Sequence, residues 1–174
     1  RDEAQKILKA VELGEKPVST IVTKLTQYAA NAFVDEAKAV RDIRDAFNAD
    51  PTLRSRINEP KTDADRAFAA DFKKAGEQAL GKDMYQEYVG ELLKTGSISA
   101  DKMTKLSKGT FSDDEETTYE DIAKAPKQER DRLLNDIAYQ NTTLDHLNGD
   151  ERKVALAAAE QGEYRSEDKI RALV

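Results

Sequence analysis

Apolar residues recur at steps of three and four along most of the chain, which is the spacing of one face of an α-helix. The first predicted helix runs from about Asp2 to Leu13 and stops at Gly14. The second begins near Pro17, a favourable first-turn residue, and its apolar register shifts near Asn31. We therefore expect either one bent helix of about thirty residues or a break near Asn31, with Asp50-Pro51 as the end.

The middle of the chain contains the best candidate for a linker. A short predicted helix, Thr52–Ile57, leads into Asn58-Glu59-Pro60-Lys61, where proline and polar residues interrupt the helical period. Thr62 then caps a helix that ends at Gly81, and Asp83 caps the next helix. We place a domain boundary in the segment Asn58–Lys61.

After Gly96 the predicted helices become short and regular. They are Ser99–Ser107, Ser112–Lys124, Pro126–Tyr139, Thr143–Asn148, Asp150–Gln161 and a last helix from Ser166 onward. Nearly all of them start at a good N-cap residue, and Gly109, Gly149 and Gly162 lie at predicted helix ends.

These elements predict an all-α helical array. Residues 1–58 form an N-terminal helical hairpin with one long helix, and residues 62–174 form repeat-like short helices in an orthogonal bundle or a solenoid. Charged residues make up 36% of the chain and there are only 8 glycines and 4 prolines, which favours helix over strand.

Composition excludes several classes of protein. The absence of cysteine excludes a disulfide framework, a thiolate nucleophile and a cysteine-ligated metal site. The net charge is −6, and its 28 basic and 34 acidic residues are interspersed, which argues against a nucleic-acid-binding face and against a polybasic membrane anchor. No run approaches the roughly 18 apolar residues that a membrane-spanning helix requires.

The two ends of the sequence predict a longer parent protein. The chain begins Arg1-Asp2-Glu3 without an initiator methionine or a signal peptide, and it stops at Ile170–Val174 within an apolar helical pattern. We therefore expect a fragment, truncated at its C-terminus, of a larger protein. As a separate expectation, that protein is bacterial or phage-related and is secreted or associated with a virion or cell surface.

A weak internal repeat appears when two glycines are superimposed. Gly109-Thr110-Phe111-Ser112-Asp113 aligns with Gly162-Glu163-Tyr164-Arg165-Ser166, and Leu93 and Leu147 fall at nearly equal distances upstream. Each unit reads as a helix that ends in leucine, a second helix, a glycine followed by an aromatic residue, and a third helix with an acidic start.

Several segments of residues 68–174 resemble the annexin repeat. They are Leu80–Met84 with Glu91–Leu93, Ser112–Glu116 with Tyr119–Ile122, Lys127–Arg130 and Gly149–Val154. The resemblance is closest to annexin-like helical repeats of large bacterial proteins, and it implies an annexin-like solenoid with calcium-dependent membrane binding.

The calcium loop of that family is not matched here. It requires Gly-x-Gly-Thr and a distal carboxylate, whereas this chain has only Gly109-Thr110, and the distal position falls near Asp145 or His146. Glu91 has no such loop at the required distance before it. The resemblance therefore leaves Gly109, Thr110, Asp145 and Glu91 as the candidate calcium ligands.

Other chemical patterns each have a plain structural reading. The acidic run Asp113–Glu116 with Glu120 and Asp121 fits the start of a helix better than a metal site. His146 is the only histidine and is more typical of a surface residue than of a catalyst. Glu87 and Glu91 share one helix without a histidine companion, as expected for a solvated face.

The tyrosines have two readings as well, since they could pack in the core or form a stacking platform, and the first is favoured. They are Tyr85, Tyr88, Tyr119, Tyr139 and Tyr164. Neither a P-loop nor a dinucleotide fingerprint occurs in the sequence. We predict no catalytic and no cofactor-binding residue.

We therefore expect a non-catalytic interaction or scaffold domain whose partners are proteins or other domains of the parent chain, and not nucleic acid. The first alternative is a calcium-linked peripheral membrane-binding module. The second is the helical lobe of a toxin or of a cell-wall-degrading enzyme that uses Glu77, Glu87 or Glu91 as its acid.

Overall fold

The computed structural model describes residues 20–31, 35–107 and 115–173, and these residues form helices joined by turns and short connecting segments. They contain no β-strand, so the prediction of an all-α helical array is confirmed. The helix predicted for Asp2–Leu13 lies outside the described residues. The chain divides into two compact units, Arg1–Gly96 and Ser97–Val174.

The helices of each unit follow one another closely. The described part of the first unit contains α1 (Thr20–Ala29), α2 (Glu36–Ala49), α3 (Thr52–Asn58), α4 (Asp63–Leu80), α5 (Lys82–Met84), a π-helical turn (Tyr85–Val89) and α6 (Gly90–Thr95). That of the second contains α7 (Ala100–Ser107), α8 (Glu115–Ala123), α9 (Lys127–Asn135), α10 (Ile137–Thr143), α11 (Gly149–Gln161) and α12 (Ser166–Leu173).

The long helix predicted within residues 1–58 is divided into two helices. Of the two alternatives offered by the sequence, a bent helix or a break near Asn31, the second is the one observed. Helix α1 ends in a turn where the N–H of Asn31 donates to the carbonyl of Tyr28 over 3.0 Å. Helix α2 starts anew because the Asp35 carboxylate accepts the N–H of Lys38 at 3.1 Å. The longest described helix is instead α4, which has 18 residues.

The core of the first unit is centred on a phenylalanine of α4. The Phe72 ring lies 5.8 Å from that of Phe47, 6.2 Å from that of Phe68 and 6.3 Å from that of Tyr85, centroid to centroid. Helix α2 contributes further buried apolar residues to this unit, and they are Ala37, Val40, Ile43 and Phe47. Helix α4 therefore joins α2 and the π-helical turn through aromatic contacts.

The segment Asn58–Lys61, where the boundary was predicted, connects two helices of the same unit. Helices α3 and α4 pack against each other on either side of it. The Asp65 carboxylate accepts from Arg56 Nε at 3.0 Å and from the N–H of Lys61 at 3.3 Å, and the Arg56 bond lowers the pKa of that carboxyl. The structure divides the chain after Gly96 instead.

Helix α11 is the centre of the second unit and packs against α8, α9 and α12. Its small buried residues Ala155, Ala158 and Ala159 let neighbouring helices approach closely. Asn148, and not the predicted Asp150, caps this helix through a reciprocal pair of hydrogen bonds with Glu151.

The predicted helix Pro126–Tyr139 is wrong in its length because Asp136 divides it. The backbone of Asp136 is extended, and its carboxylate accepts the N–H of Tyr139 at 3.0 Å. Asp136 therefore ends α9 and starts α10, which runs on to Thr143. The predicted helix Thr143–Asn148 is replaced by a turn in which the N–H of Leu147 donates to the carbonyl of Leu144.

An arginine binds the C-terminal end of a helix in each unit. Arg54 of α3 donates to the carbonyl of Leu93 from Nη2 at 3.1 Å and from Nε at 3.3 Å. Arg130 of α9 donates from Nη1 to the carbonyl of Ala159 at 3.0 Å and from Nε to that of Ala125 at 3.2 Å. Each cation meets carbonyls that have no partner within their own helix.

Both of these helices end at a glycine with positive φ, 81° at Gly96 and 71° at Gly162. A Cβ at either glycine would lie 2.7 Å from Arg54 Nη1 or 2.9 Å from Arg130 Nη1. In each unit the arginine binds the carbonyl three residues before the glycine. The structure thus pairs Gly96 with Gly162, while the predicted pairing of Gly109 with Gly162 lies partly outside the described residues.

Replacing Gly162 by alanine tests this cap. We expect Gly162→Ala to lower the free energy of unfolding by about 1–2 kcal/mol from the left-handed backbone alone, with a further loss from displacement of Arg130. The matched control is Gly149→Ala at the first residue of α11, where nothing lies within 4 Å of the new methyl group. Urea unfolding measures both, and equal stability of the two variants would contradict the cap.

Candidate functional site

The predicted calcium ligands do not form a site among the described residues. Gly109 and Thr110 lie outside them. Asp145 is exposed in the turn after α10, with its Oδ1 3.6 Å from His146 Nδ1, and Glu91 belongs to the other unit. Within residues 20–31, 35–107 and 115–173, no three His, Asp or Glu side chains are grouped to hold a metal ion. The annexin-type site stays a prediction.

The glutamates named for the enzyme alternative lie in the first unit. Glu77 is half-buried on α4, and its charge adds to burial in raising the pKa of the Tyr85 hydroxyl to about 12. Glu87 is exposed in the π-helical turn, and Glu91 is half-buried on α6. These three carboxylates are therefore spread over three different elements, α4, the π-helical turn and α6.

The tyrosines pack inside the units, as favoured from the sequence. Tyr85 and Tyr119 are buried, and Tyr88, Tyr139 and Tyr164 are half-buried. The Tyr119 and Tyr164 rings lie 5.2 Å apart at an interplanar angle of 55°. These tilted rings contact each other as aromatic side chains in a core do.

A half-buried carboxylate that sequence reasoning missed, that of Glu129, caps helix α7. Glu129 Oε2 accepts the N–H of Ala100 at 3.1 Å, and Oε1 accepts the Tyr139 hydroxyl at 3.3 Å. Burial raises the pKa of Glu129 although these donors act to lower it. The guanidinium carbon of Arg132 lies 3.9 Å from the centroid of the Tyr139 ring. Nothing local in the sequence marks this role, because the capped helix lies far upstream.

Glu129→Gln tests the electrostatic cost of this cap. A folded-state pKa above the unfolded value of about 4.3 means that the carboxyl favours folding while it is protonated and loses that contribution as pH rises through the folded pKa. As the pH rises through the folded-state pKa of Glu129, we therefore expect the wild type to lose stability relative to Glu129→Gln. Glutamine keeps one acceptor and carries no charge at any pH. Unfolding free energies measured across pH check this. The exposed Glu160→Gln should show no such divergence.

The strongest concentration of charge in the second unit lies where α8 and α11 begin. Glu115 and Glu116 occupy the first turn of α8, and Glu151 occupies that of α11. The helix-start reading of this part of the acidic run is thus correct, because the N-terminal partial charges of both helices attract carboxylates. We call Glu115, Glu116, Tyr119 and Glu151 the acidic corner.

Glu151 contributes both to the acidic corner and to the cap of α11. Its Oε1 accepts the N–H of Asn148 at 2.8 Å, and this bond, followed by the effect of Glu115, lowers the pKa of Glu151. The ionised form of Glu151 is therefore favoured at the start of α11.

The third carboxylate faces a tyrosine and a lysine. The Tyr164 hydroxyl donates to Glu116 Oε2, and Lys169 Nζ of α12 lies 3.8 Å from Glu116 Oε1. Burial and the bond to Glu116 raise the pKa of Tyr164. An ammonium group of the chain itself thus stands at the edge of the acidic corner.

The acidic corner includes one buried hydroxyl group, that of Tyr119. The Tyr119 side chain has 0% exposure, and its Oη has no hydrogen-bond partner among residues 20–31, 35–107 and 115–173. Burial raises the pKa of Tyr119 to about 12, together with the charges of Glu151, Glu115 and Glu116, so the hydroxyl lies in the field of all three carboxylates. A buried polar group without a partner destabilises a fold, so this hydroxyl calls for an explanation.

The variant Tyr119→Phe measures how much the buried Tyr119 hydroxyl destabilises the fold. We expect this variant to be more stable than the wild type by about 1 kcal/mol or more, because phenylalanine fills the same space without an unsatisfied hydroxyl. Tyr164→Phe is the matched control and should lose about 1 kcal/mol or more, since it removes a bond to a charged acceptor. Urea unfolding of both variants gives the comparison. A destabilised Tyr119→Phe would show that the hydroxyl is satisfied in solution.

Comparison of the chain with protein-family models, with curated proteins and with solved structures gives no match. None of the described helices is both long and apolar enough to cross a membrane. The resemblance to annexin-like repeats therefore remains an expectation from the sequence.

Proposed function

We propose that the chain is a non-catalytic interaction or scaffold domain of a larger protein, which presents helical surfaces to other domains or subunits. Large apolar side chains on the outside of the second unit support this most directly. Ile137 is 73% exposed at the start of α10, and Ile170 is 70% exposed on α12, whose other residues are mostly charged. Exposed apolar groups of this size are costly in water and are typical of contact surfaces when they are grouped.

Helix α12 has two apolar edges. Ala172 packs against the core of the second unit, whereas Ile170 and Leu173, three positions apart, face outward. Glu167 and Arg171 flank this outward edge with charges of both signs. An apolar stripe with a mixed polar rim suits a helix of a protein partner better than a uniformly anionic membrane surface.

A second exposed pair lies at the junction of α9 and α10. Leu134 is 36% exposed, and Ile137 begins α10 directly after Asp136. Because Asp136 ends α9, the chain turns at this point and brings Ile137 to the surface. The break that sequence reasoning missed thus creates part of the proposed contact surface.

Ile170→Asp tests the proposal. We expect its unfolding free energy to stay within about 0.5 kcal/mol of the wild type, since the side chain is exposed, and its association with a protein partner to weaken about tenfold or more. A photo-crosslinking amino acid in place of Ile170, in the parent protein and in its own cells, first identifies the partner. The affinity of the Ile170→Asp variant for that partner is then compared with that of the wild type. The matched control is the same group at the exposed Lys153.

Crosslinks from position 170 to an apolar helical segment of a protein would support an interaction domain. Crosslinks to lipid, with calcium-dependent sedimentation of the chain with anionic vesicles, would favour the calcium-linked membrane-binding role instead. Equal yields from positions 170 and 153 would contradict a specific contact surface.

A further inference from the structure

We propose that Asn148 is a site of covalent modification, at which the side-chain amide is converted to an acid by water at a rate set by the cap of α11. Asn148-Gly149 is the only place in the sequence where an asparagine precedes a glycine. Both residues are exposed at the start of α11. Glycine leaves its main-chain nitrogen open to reaction with the preceding asparagine, because it has no Cβ to shield that nitrogen.

The reaction needs only the chain and water. Hydroxide removes the proton of the Gly149 main-chain nitrogen, which then bonds to Cγ of Asn148. The side-chain nitrogen takes a proton from water and leaves as ammonia, so the hydroxide is restored and a cyclic imide remains. Water then opens the imide at either carbonyl, which gives aspartate or isoaspartate. Each conversion consumes one water and releases one ammonia, with no change of oxidation state.

The folded cap opposes the closure of this ring. The imide requires the Cβ of Asn148 and the nitrogen of Gly149 to lie nearly eclipsed about the Cα–C bond. The ψ of Asn148 is 178°, so its Cβ is staggered and lies about 60° away from that nitrogen. Asn148 Oδ1 accepts the N–H of Glu151 at 2.9 Å, and Glu151 Oε1 accepts the N–H of Asn148 at 2.8 Å. These two bonds hold the unreactive conformation, and modification requires that they open.

The surroundings of Gly149 leave room for that opening. Apart from its chain neighbours and its own helix, no atom of the described residues lies within 4 Å of a Cβ built on Gly149. At the other end of α11, a Cβ on Gly162 would lie 2.9 Å from Arg130 Nη1. Helix ends fray most readily where no other element covers them. The capping pair of Asn148 and Glu151 is therefore the restraint that sets the rate.

The two products have different effects on α11. Aspartate is also a good N-cap, and its charge is favoured at the start of a helix, so it preserves the cap. Isoaspartate adds one carbon to the main chain and moves the carboxylate out of register with the N–H of Glu151. Because α11 packs against α8, α9 and α12, a displaced start weakens the packing of the second unit.

The test follows the full chain during incubation in mildly alkaline buffer. Trypsin releases the peptide Leu133–Arg152, which contains Asn135, Asn141 and Asn148, and fragment masses locate the residue whose amide has become an acid. An isoaspartyl methyltransferase assay measures the isoaspartate product. We expect Asn148 to be converted about tenfold faster or more than Asn135 and Asn141, which precede aspartate and threonine.

Three variants separate the role of the cap from that of the glycine, and circular dichroism checks that each is folded. Glu151→Ala removes one capping bond and should raise the rate at Asn148 about fivefold. Asp150→Ala is the matched control, because it removes a carboxylate from the same turn but neither capping bond, and it should change the rate by less than about twofold. Gly149→Ala should lower the rate about tenfold, since its Cβ shields the nitrogen.

Faster conversion in Glu151→Ala, with an unchanged rate in Asp150→Ala, would support both the site and its control by the cap. Conversion of Asn148 no faster than that of Asn135 and Asn141 would overturn the site. Equal rates in Glu151→Ala and the wild type would refute control by the cap. Equal acceleration in Asp150→Ala would refute it as well, because the effect would then come from charge.

Discussion

Satisfying the carbonyl groups at the ends of two helices is the constraint on which both units depend. Arg54 and Arg130 bring a guanidinium to the carbonyls of Leu93 and Ala159, and Asn58 Nδ2 adds a further bond to Leu93 at 2.7 Å. Each arginine comes from an earlier helix, so the bond joins segments that are distant in the sequence. The same arginines require a glycine three residues after each of these carbonyls, at Gly96 and at Gly162. The guanidinium occupies the space that a Cβ would fill there.

The acidic corner lies at the N-terminal ends of two helices, where the helix dipole has the opposite sign. The starts of α8 and α11 carry partial positive charge, which favours Glu115, Glu116 and Glu151 at positions where carboxylates would otherwise repel one another. Lys169 relieves part of the remaining repulsion, since its Nζ lies 3.8 Å from Glu116 Oε1.

Caps formed by neighbours in sequence were predictable, and contacts between distant residues were not. Thr62 accepts from Asp65 and Ser99 from Lys102 as the pattern predicted, because the cap and its partner are three residues apart. The bonds from Ala100 to Glu129 and from Arg130 to Ala159 span 29 positions and leave no local signal. The candidate site shows the same difference. Glu115, Glu116 and Tyr119 could be noted from the sequence, whereas their proximity to Glu151 depends on how α8 and α11 pack.

The π-helical turn at Tyr85–Val89 restricts how this chain can change in length. Gly90 donates to the carbonyl of Tyr85, five residues back, so the turn contains one residue more than an α-helical turn would. Tyr85, the first residue of the turn, and Leu92, which follows it, are both buried. Losing one residue between them would rotate one relative to the other by about 100° and expose one of these side chains. Related genes should therefore tolerate codon substitutions at the exposed positions Gln86 and Glu87 and reject single-codon deletions.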